Sequence, residues 1–381
     1  MISSRGLLLF ALVWFGGCDS PADDQVIYPP NLPLQWSVEQ PGAFLVGYRE
    51  LSTTYTPPGG GASRTIPVGI WYPTRSRTDS TPRYGNWIDD PETSIDARPA
   101  APPFPGGFPV LVHSHGDAAF PGSNSHVIRY LVSHGWAVIE PAHVGNTLDD
   151  TDTTRPHPLA LYLWRPLDVR AALDLAAALP AGDPLAGKLD MSRVAMSGHS
   201  FGTYTAWAVS GTRFSLDAIR KSCDKNEVSD CSDALIQAFS GDLSERRARV
   251  IVPMAGGGSS YFGANPYDPL GMPLLLMEGS LNQSGADQLF AATTGVDFTW
   301  VNIEGGCHEL FNLGNDALGD HGNDSNGAIP CGALPSEAGF AAVNSWLLAY
   351  LRSHLFDDHS EQVEAIVNNT PPRPLITFHR R

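Results

Sequence analysis

Residues 193–203, RVAMSGHSFGT, join an apolar strand to a helix through a serine flanked by glycines. Gly198 and Gly202 bracket Ser200, and the following TYTAWAV run is compatible with a helix. A turn this sharp strains the backbone of the serine, and a Cβ on either glycine would collide with the adjoining strand or helix. The segment therefore predicts that Ser200 lifts its hydroxyl above the edge of a sheet as a nucleophile. The competing interpretation is a glycine-rich turn without chemistry.

Strand-like and helix-like runs alternate along most of the chain. Two β-branched runs at the start, 44–48 and 65–72, predict an antiparallel pair. Further strands are predicted at 109–116, 136–140, 193–197, 249–254, 273–277 and 298–303, and helices at 127–133, 166–179, from 201 onward and at 337–355. Strands separated by helices favour an α/β fold with a mostly parallel central sheet and helices on both faces.

Charge and motif content exclude several classes of partner. Lysine and arginine total 24 against 40 aspartate and glutamate, a formal net charge of −16, so the surface repels phosphate backbones and nucleic acid is not an expected partner. The sequence contains no GxGxxG, P-loop or HExxH motif, which argues against an organic cofactor. No CxxC spacing occurs either, and no metal site is expected.

The N-terminus has the pattern of an export signal. Residues 1–18, MISSRGLLLFALVWFGGC, place one arginine before an apolar run and small residues before Cys18. This pattern resembles a bacterial lipoprotein signal, in which Cys18 is lipidated and anchors the protein to a membrane; an ordinary cleaved signal or an uncleaved anchor is the alternative. We expect an exported protein, either a cell-envelope lipoprotein facing the periplasm or the cell surface, or a secreted one.

The mature chain divides into three predicted parts. Residues 19–35 are expected to form a flexible tether, residues 36–357 one large domain, and residues 358–381 a peripheral tail. Within the domain, the charged segment 211–248 interrupts the strand–helix alternation. That segment is expected to form either a small cap over a site or a surface insertion held in place by a disulfide.

Four cysteines follow Cys18, and they permit three pairings. Pairing Cys223 with Cys231 and Cys307 with Cys331 closes the shortest loops, so these two disulfides are predicted for an oxidising compartment.

Several motifs together resemble the α/β-hydrolase superfamily. SHG at 114–116, SHGWAVIEPAHVGNT at 133–147, WRPLDV at 164–169 and GHSFG at 198–202 are similar to the dienelactone hydrolase and platelet-activating-factor acetylhydrolase group, to which bacterial polyester hydrolases are related. The resemblance spans about residues 40–355 and implies the α/β-hydrolase fold. It also implies that His308, on the loop after the last predicted strand, is the general base for Ser200.

The acid of the implied catalytic triad is the point at which the sequence departs from the family. The run PLLLMEGSLNQS, 273–284, has Asn282 where relatives carry an aspartate after the strand. Asparagine can orient an imidazole but cannot stabilise its charged form, so Glu278 at the strand end is a nearly equal candidate. Asp268 and Asp287 are weaker candidates.

The oxyanion hole requires two backbone N–H groups near the developing negative charge. Phe201, the residue after the nucleophile, is one expected donor, and the resemblance implies that Asp117 is the other. A carboxylate there opposes an oxyanion unless its side chain points away, and Ala118 is a substitute donor. Aromatic residues expected to form either an apolar acyl pocket or core are Phe120, Tyr162, Trp164, Phe201, Trp207, Tyr261 and Phe262.

The sequence thus predicts a serine-dependent carboxylic ester hydrolase that works through an acyl-enzyme. Short-acyl lipids, lactones and polyester chains are the substrate classes that the resemblance implies. One alternative is a catalytically weak or inactive lipoprotein of the same fold that binds its ligand, which the missing aspartate motivates. A second is a metal-dependent hydrolase. The sequence leaves the oligomeric state open.

Overall fold

A computed structural model describes residues 29–59, 61–150, 155–263, 271–282, 284–312 and 334–381. The predicted signal, Cys18 and most of the tether lie outside the described residues. The centre is a ten-stranded sheet with the order β12-β11-β10-β9-β8-β6-β7-β2-β1-β5. The strands are β1 (Leu45–Tyr55), β2 (Arg64–Thr74), β5 (Thr93–Ile95), β6 (Phe108–Ser114), β7 (Ala137–Pro141), β8 (Leu189–His199), β9 (Ala248–Met254), β10 (Leu274–Gly279), β11 (Phe298–Ile303) and β12 (Ile376–Arg380).

The middle of the sheet is parallel. The six strands β7, β6, β8, β9, β10 and β11, in this order, pair in parallel with one another. Every residue of β6, β7 and β10 is buried, which is why these strands read as continuous apolar runs rather than alternating ones. The predicted mostly parallel α/β sheet is confirmed.

Helices cover both faces of the sheet, as predicted. They are α1 (Ser125–Ser133), α2 (Leu159–Ala177), α3 (Phe201–Val209), α4 (Leu216–Asp224), α5 (Asp233–Ala238), α6 (Ala286–Ala292), α7 (Ser336–Phe356) and α8 (Glu361–Val367). Apolar side chains of α2, α3 and α6 join one buried cluster, whereas those of α1, α7 and α8 join another. In the described part of the chain, no helix is long and apolar enough to span a bilayer.

Toward its N-terminal edge the sheet is mixed, because β5 at the edge pairs in parallel with β1 and the next pairs are antiparallel. β1 and β2 form the expected opening pair, and β2 runs antiparallel to β7. The segment between β2 and β6 contains β5 and a short hairpin of β3 (Arg83–Tyr84) with β4 (Ile88–Asp89). These strands have two or three residues each, too few to show a periodic pattern.

The structure corrects the prediction that residues 358–381 form a peripheral tail. Val363 and Ile366 on α8 are fully buried, and β12 pairs antiparallel with β11 at the edge of the sheet. The Pro-rich run at 371–374 suggested a loop, but ITFHR after it supplies an edge strand.

The tether predicted for 19–35 is also too long at its C-terminal end. A 3₁₀ helix, Leu32–Gln35, is held there by the buried guanidinium of Arg352, which donates to the backbone carbonyls of Leu34 and Trp36. These backbone contacts depend on a side chain more than 300 positions away, so local composition did not indicate them.

Segment 211–248 folds as α4 and α5, joined by the predicted Cys223–Cys231 disulfide, which is confirmed. Ile219 and Phe239 from this segment are buried in the same cluster as α2 and α3. The segment therefore extends the core on that face of the sheet, and a capping role over a substrate stays a prediction.

Candidate active site

Ser200 lies in the turn between β8 and α3 with a positive φ of 55° and a ψ of −115°. The flanking glycines permit this turn. A Cβ on Gly198 would lie 2.0 Å from the carbonyl oxygen of Gly202, and one on Gly202 would lie 1.9 Å from that of Ser114. Since a β-carbon fits at neither place, the strand-turn-helix has the geometry expected of a nucleophile elbow.

The strained turn is fastened to the end of β9. The backbone N–H of Ser200 donates to the carbonyl of Met254 at 3.0 Å, and the Thr203 hydroxyl donates to the same oxygen at 2.9 Å. Positive φ at a residue with a side chain costs of order 1–3 kcal/mol. Hydrogen bonds to a buried strand hold the turn in that conformation.

His308 is brought to the same edge of the sheet as Ser200. It begins the 3₁₀ helix His308–Phe311, which follows β11. His199, directly before Ser200, donates from Nε2 to the carbonyl of His308 at 2.8 Å, and the two imidazole centroids are 4.9 Å apart. The loop that carries His308 is therefore anchored to the elbow itself.

This loop also packs tightly on the end of β10. A Cβ on Gly279 would lie 2.4 Å from the carbonyl of Gly306, so the two backbones touch. Cys307 is buried and disulfide-bonded. Its predicted partner, Cys331, lies outside the described residues.

Asn282 is the direct partner of the His308 ring. Its Oδ1 lies 3.2 Å from His308 Nδ1, and its own backbone N–H donates to the Gly279 carbonyl at 2.9 Å, which folds the side chain back toward the strand end. When Nδ1 carries the proton and donates it to this oxygen, Nε2 keeps its lone pair. The arrangement suits a general base that acts through Nε2.

Glu278 stands behind Asn282 as the next member of the same chain. Asn282 Nδ2 donates to Glu278 Oε2 at 2.8 Å, and the Ser284 hydroxyl donates to Oε1. Burial raises the pKa of Glu278 to about 7, and the hydrogen bonds from Ser284 and Asn282 oppose that rise. The two candidate acids therefore act in series rather than as alternatives.

Of the two weaker acid candidates, one lies within the described residues. Asp287 lies exposed in the first turn of α6. Asp268 is outside the described residues.

The side chain of Asp117 is directed toward a group of donors beside the loop. Its carboxylate accepts a hydrogen bond from Asn146 Nδ2 at 2.6 Å, lies 3.0 Å from His157 Nε2 and pairs with Arg155. Partial burial raises the pKa of Asp117, but His157, Asn146 and Arg155 together outweigh it and hold the pKa well below the usual range. The carboxylate is thus engaged on the side of residues 146–157.

A second serine–histidine–aspartate set is fully buried. Ser114 Oγ lies 2.8 Å from His143 Nε2, and His143 Nδ1 lies 2.9 Å from Asp168 Oδ2. Arg64 and Tyr55 also donate to Asp168. Burial lowers the pKa of His143 well below the usual range. Because none of the three members reaches solvent, this set is part of the framework under the 114–118 loop, and no substrate contacts it.

Sequence reasoning missed Arg165, a fully buried guanidinium on α2 that reaches the 114–118 loop. The helix carries Arg165, Asp168, Arg170 and Asp174 among apolar residues, and the sequence did not distinguish the buried arginine from Arg170. The described residues contain no cluster of three or more histidine, cysteine, aspartate or glutamate side chains that could hold a metal ion.

A cavity of about 170 Å³ opens beside the 114–118 loop. Of the predicted pocket aromatics, Trp164 lines it, whereas Trp207 is fully buried core. The ring of His157, another lining residue, stacks on Phe201 at 5.8 Å. The full lining is Asp117, Ala118, Gly145, Asn146, Thr147, Arg155, His157, Pro158, Leu161 and Trp164.

Comparisons with known proteins give two resemblances. The chlorophyllase family model matches residues 91–220, which include the 114–118 loop, α2 and the elbow. Among solved structures, a ferulic acid esterase from Streptomyces cinnamoneus superposes with a TM-score of 0.59 at 18% identity, covering 90% of this chain and 98% of that chain. No curated protein sequence matches the chain significantly.

Proposed function

We propose that this chain, which has the α/β-hydrolase fold, is a serine-dependent carboxylic ester hydrolase. In this proposal Ser200 is the nucleophile, His308 the general base, Asn282 the residue that orients His308, and Glu278 the residue that orients Asn282. The single observation that carries it is the placement of an oriented imidazole on a loop anchored to the residue before Ser200.

The reaction proceeds through an acyl-enzyme. The Ser200 hydroxyl attacks the ester carbonyl while His308 Nε2 takes its proton, and the tetrahedral intermediate collapses as His308 returns that proton to the leaving alcohol. Water then attacks the acyl-serine, again giving its proton to His308, and the carboxylic acid leaves as Ser200 is restored. Negative charge on the former carbonyl oxygen is met by the backbone N–H of Phe201 and by that of Asp117 or Ala118.

Asparagine in the acid position is compatible with turnover because Glu278 fixes its orientation. In a serine protease, replacing the triad aspartate by asparagine lowers kcat by about 10⁴, because the histidine is held in the wrong tautomer. Here the Asn282 NH₂ group is committed to Glu278 Oε2, so Oδ1 faces His308 Nδ1. The correct tautomer is retained, although a neutral amide stabilises the imidazolium less than a carboxylate does.

The cavity beside Asp117 and Ala118 supports a small acyl or aryl group as the part of the substrate bound there. Its volume of about 170 Å³ compares with the ~150 Å³ engineered cavity that takes up benzene. Short-acyl lipids, lactones and short segments of a polyester are the substrate classes we propose. The similarity to chlorophyllases and to a ferulic acid esterase supports ester hydrolysis as the reaction class.

Asn282 also motivates a second candidate function. A protein of this fold that binds an ester but cleaves it slowly would carry the same residues with little catalytic rate. The two candidates differ in turnover, not in fold.

The test combines active-site labelling with an esterase assay. Purified protein is treated with a fluorophosphonate, the adduct is mapped by mass spectrometry, and hydrolysis of p-nitrophenyl acetate is measured for wild type, Ser200→Ala and Asn282→Ala. We expect labelling at Ser200 and loss of turnover in Ser200→Ala. If natively folded wild-type protein is neither labelled nor active, the proposal that it is an enzyme is contradicted. If a chelator inhibits hydrolysis and the fluorophosphonate does not, a metal-dependent hydrolase is favoured.

We further propose that the protein is exported and anchored through Cys18, on the basis of the signal-like residues 1–18. Expression of the full chain in a bacterial host with labelled palmitate tests this. Label is expected in wild type and absent from Cys18→Ala. Equal labelling of both, or of neither, contradicts the anchor.

A further inference from the structure

Arg165 lies on α2 with its side chain wholly removed from solvent, underneath the 114–118 loop. One terminal nitrogen, Nη2, donates to the Ser114 hydroxyl at 3.0 Å and to the carbonyl of His115. The other, Nη1, donates to Asn146 Oδ1 at 2.5 Å. The guanidinium is therefore bonded to the strand end and the loop that pass over the elbow.

These bonds determine which way the peptide groups of the loop point. In a trans peptide the C=O and N–H groups point in opposite directions, so holding the His115 carbonyl toward Arg165 turns the next N–H away from it. His115 Nδ1 in turn donates to the Gly116 carbonyl at 2.8 Å, which fixes the peptide that carries the Asp117 N–H. A Cβ on Gly116 would lie 3.4 Å from the Ser200 Cβ, so this stretch of backbone lies directly over the nucleophile.

The same guanidinium contacts the residue of the second oxyanion donor. Arg165 Cζ lies 4.4 Å from the centroid of the Phe201 ring, and Nε donates to Thr205 Oγ1 at 3.0 Å, one turn further along α3. A cation over an aromatic face is attracted by the ring quadrupole, more strongly when both are desolvated. One side chain thus bridges the 114–118 loop and the start of α3.

Asn146 extends the bridge to the Asp117 side chain. Its Oδ1 accepts from Arg165 while its Nδ2 donates to Asp117 Oδ1 at 2.6 Å. The amide thereby helps to keep the Asp117 carboxylate among its donors and apart from the charge that develops on the substrate oxygen.

Packing alone does not account for a cation in this position. Removing a guanidinium from water costs several kcal/mol, and an apolar side chain of similar volume fills space without that cost. Burial lowers the pKa of Arg165 to about 9, so the group remains charged at neutral pH. The guanidinium instead provides directional hydrogen bonds to the 114–118 loop and to the start of α3, two segments whose separation must stay fixed.

We propose that Arg165 is a positioning residue that holds the two backbone donors of the oxyanion hole, Phe201 and Asp117, in register. The inference rests on the proposed function. It predicts that Arg165 affects the transition state of the reaction more than it affects substrate binding.

The test compares Arg165→Lys and Arg165→Met with Arg352→Lys in the full-length protein. Arg352 is a matched control, since it is similarly buried and its guanidinium likewise holds backbone, here the carbonyls of residues 34 and 36 in the N-terminal segment. Kinetics of p-nitrophenyl acetate hydrolysis, inhibition by phenylboronic acid and melting temperature are measured for each. The boronic acid forms a tetrahedral serine adduct, so its affinity depends on the oxyanion donors as the transition state does.

We expect kcat to fall about 100-fold in Arg165→Met, the order of loss for one oxyanion donor, and about tenfold in Arg165→Lys, which restores the charge without the planar fork. In both Arg165 variants we expect KM to stay within about threefold of the wild-type value. The inhibition constant of phenylboronic acid is expected to rise in parallel with the fall in kcat/KM. Arg352→Lys keeps kcat within about twofold even where its melting temperature falls as far.

Unchanged kcat in Arg165→Met, or an equal loss of kcat in Arg352→Lys at an equal loss of melting temperature, overturns the inference. If both Arg165 variants fail to fold, Thr205→Val carries the test, because it removes one tether of the guanidinium at constant volume. A fall in kcat of about threefold or more with unchanged KM supports the inference, and wild-type kcat overturns it. If the fluorophosphonate does not label Ser200 in wild-type protein, the proposed function itself is contradicted, and this result is distinct from the outcomes for Arg165.

Discussion

Asn282 Nδ2 donates to Glu278 Oε2 at 2.8 Å, so a buried carboxylate determines which end of the amide faces the imidazole of His308. An asparagine alone can present either its oxygen or its NH₂ group to a histidine. With an ionised carboxylate behind it, only one orientation satisfies both partners. The negative charge lies on Glu278, one hydrogen bond behind the residue that contacts His308.

Glu278→Gln is predicted to slow turnover without loss of substrate binding. The glutamine presents either a donor or an acceptor to Asn282, so the amide is free to rotate and part of the population holds His308 in the unproductive tautomer. We expect kcat to fall by about 10- to 100-fold, less than the ~10⁴ for complete tautomer loss. The check is a pH–rate profile beside Glu361→Gln in the first turn of α8. Identical profiles for the two variants contradict the role of Glu278.

Exchanging the two groups tests the same relationship in the opposite direction. The double variant Asn282→Asp with Glu278→Gln places the carboxylate next to His308 and the amide behind it. The glutamine NH₂ donates to the new carboxylate, which then stabilises the imidazolium by charge. We expect kcat above wild type by about tenfold or more, since a directly paired charge is restored. A double variant slower than Glu278→Gln alone would show that the side chains are not in series.

The contribution of Glu278 to stability is predicted to fall as the pH rises from about 4.5 to about 7. Burial raises the pKa of Glu278 from 4.5 to about 7, so this carboxyl binds more protons in the folded protein than in the unfolded chain in that window. Unfolding is then coupled to proton release from this carboxyl, and its contribution to the free energy of unfolding decreases with pH by roughly 3 kcal/mol across the window. Buried histidines such as His143, whose pKa is lowered, contribute with the opposite sign, so the pH slope due to Glu278 is the difference between wild type and Glu278→Gln in chemical denaturation at pH 4.5, 6 and 7.5.

The matched comparison for this slope is between two buried carboxylates. Glu278→Gln removes a decrease in the free energy of unfolding that ends at about pH 7. Glu140→Gln removes a decrease that continues to about pH 8, because burial raises the pKa of Glu140 to about 8. A slope that both substitutions leave unchanged contradicts the assignment.

Backbone strain at Ser200 predicts a stabilising but inactivating substitution. Glycine adopts the positive φ of 55° at this position without steric cost, whereas alanine does not. Ser200→Gly is expected to unfold with a free energy about 1 kcal/mol higher than Ser200→Ala, after the entropy that glycine adds to the unfolded chain. Thermal denaturation of the two inactive variants measures this difference in the free energy of unfolding. Equal or lower stability of Ser200→Gly contradicts backbone strain at Ser200.

The fold was predictable because its signals are local. Continuous apolar runs such as residues 250–254 mark strands buried on both faces, and the glycines around Ser200 mark the turn between one such strand and a helix. The loop with His308 follows the last parallel strand in sequence, and parallel strands end at one edge of a sheet.

What was missed depends on contacts between distant segments. The serial order of Asn282 and Glu278 follows from the turn after β10, in which the Asn282 N–H returns to the Gly279 carbonyl, and residue types alone did not specify that turn. Arg165 became significant only once α2 lay beneath the 114–118 loop, 50 positions earlier in the chain. The C-terminal strand β12 needed a partner strand to be recognised as part of the sheet.

The central claim, that Ser200 carries the acyl group during turnover, is tested most directly by trapping the intermediate. Wild-type protein and His308→Ala are mixed with p-nitrophenyl acetate, quenched in acid within the first turnover and digested with trypsin. We expect a stoichiometric burst of p-nitrophenol in wild type and one acetyl group on Ser200, in the peptide between Arg193 and Arg213, with His308→Ala unmodified on this time scale. Turnover without acetylation of Ser200, or acetyl transfer to another side chain, would contradict the account.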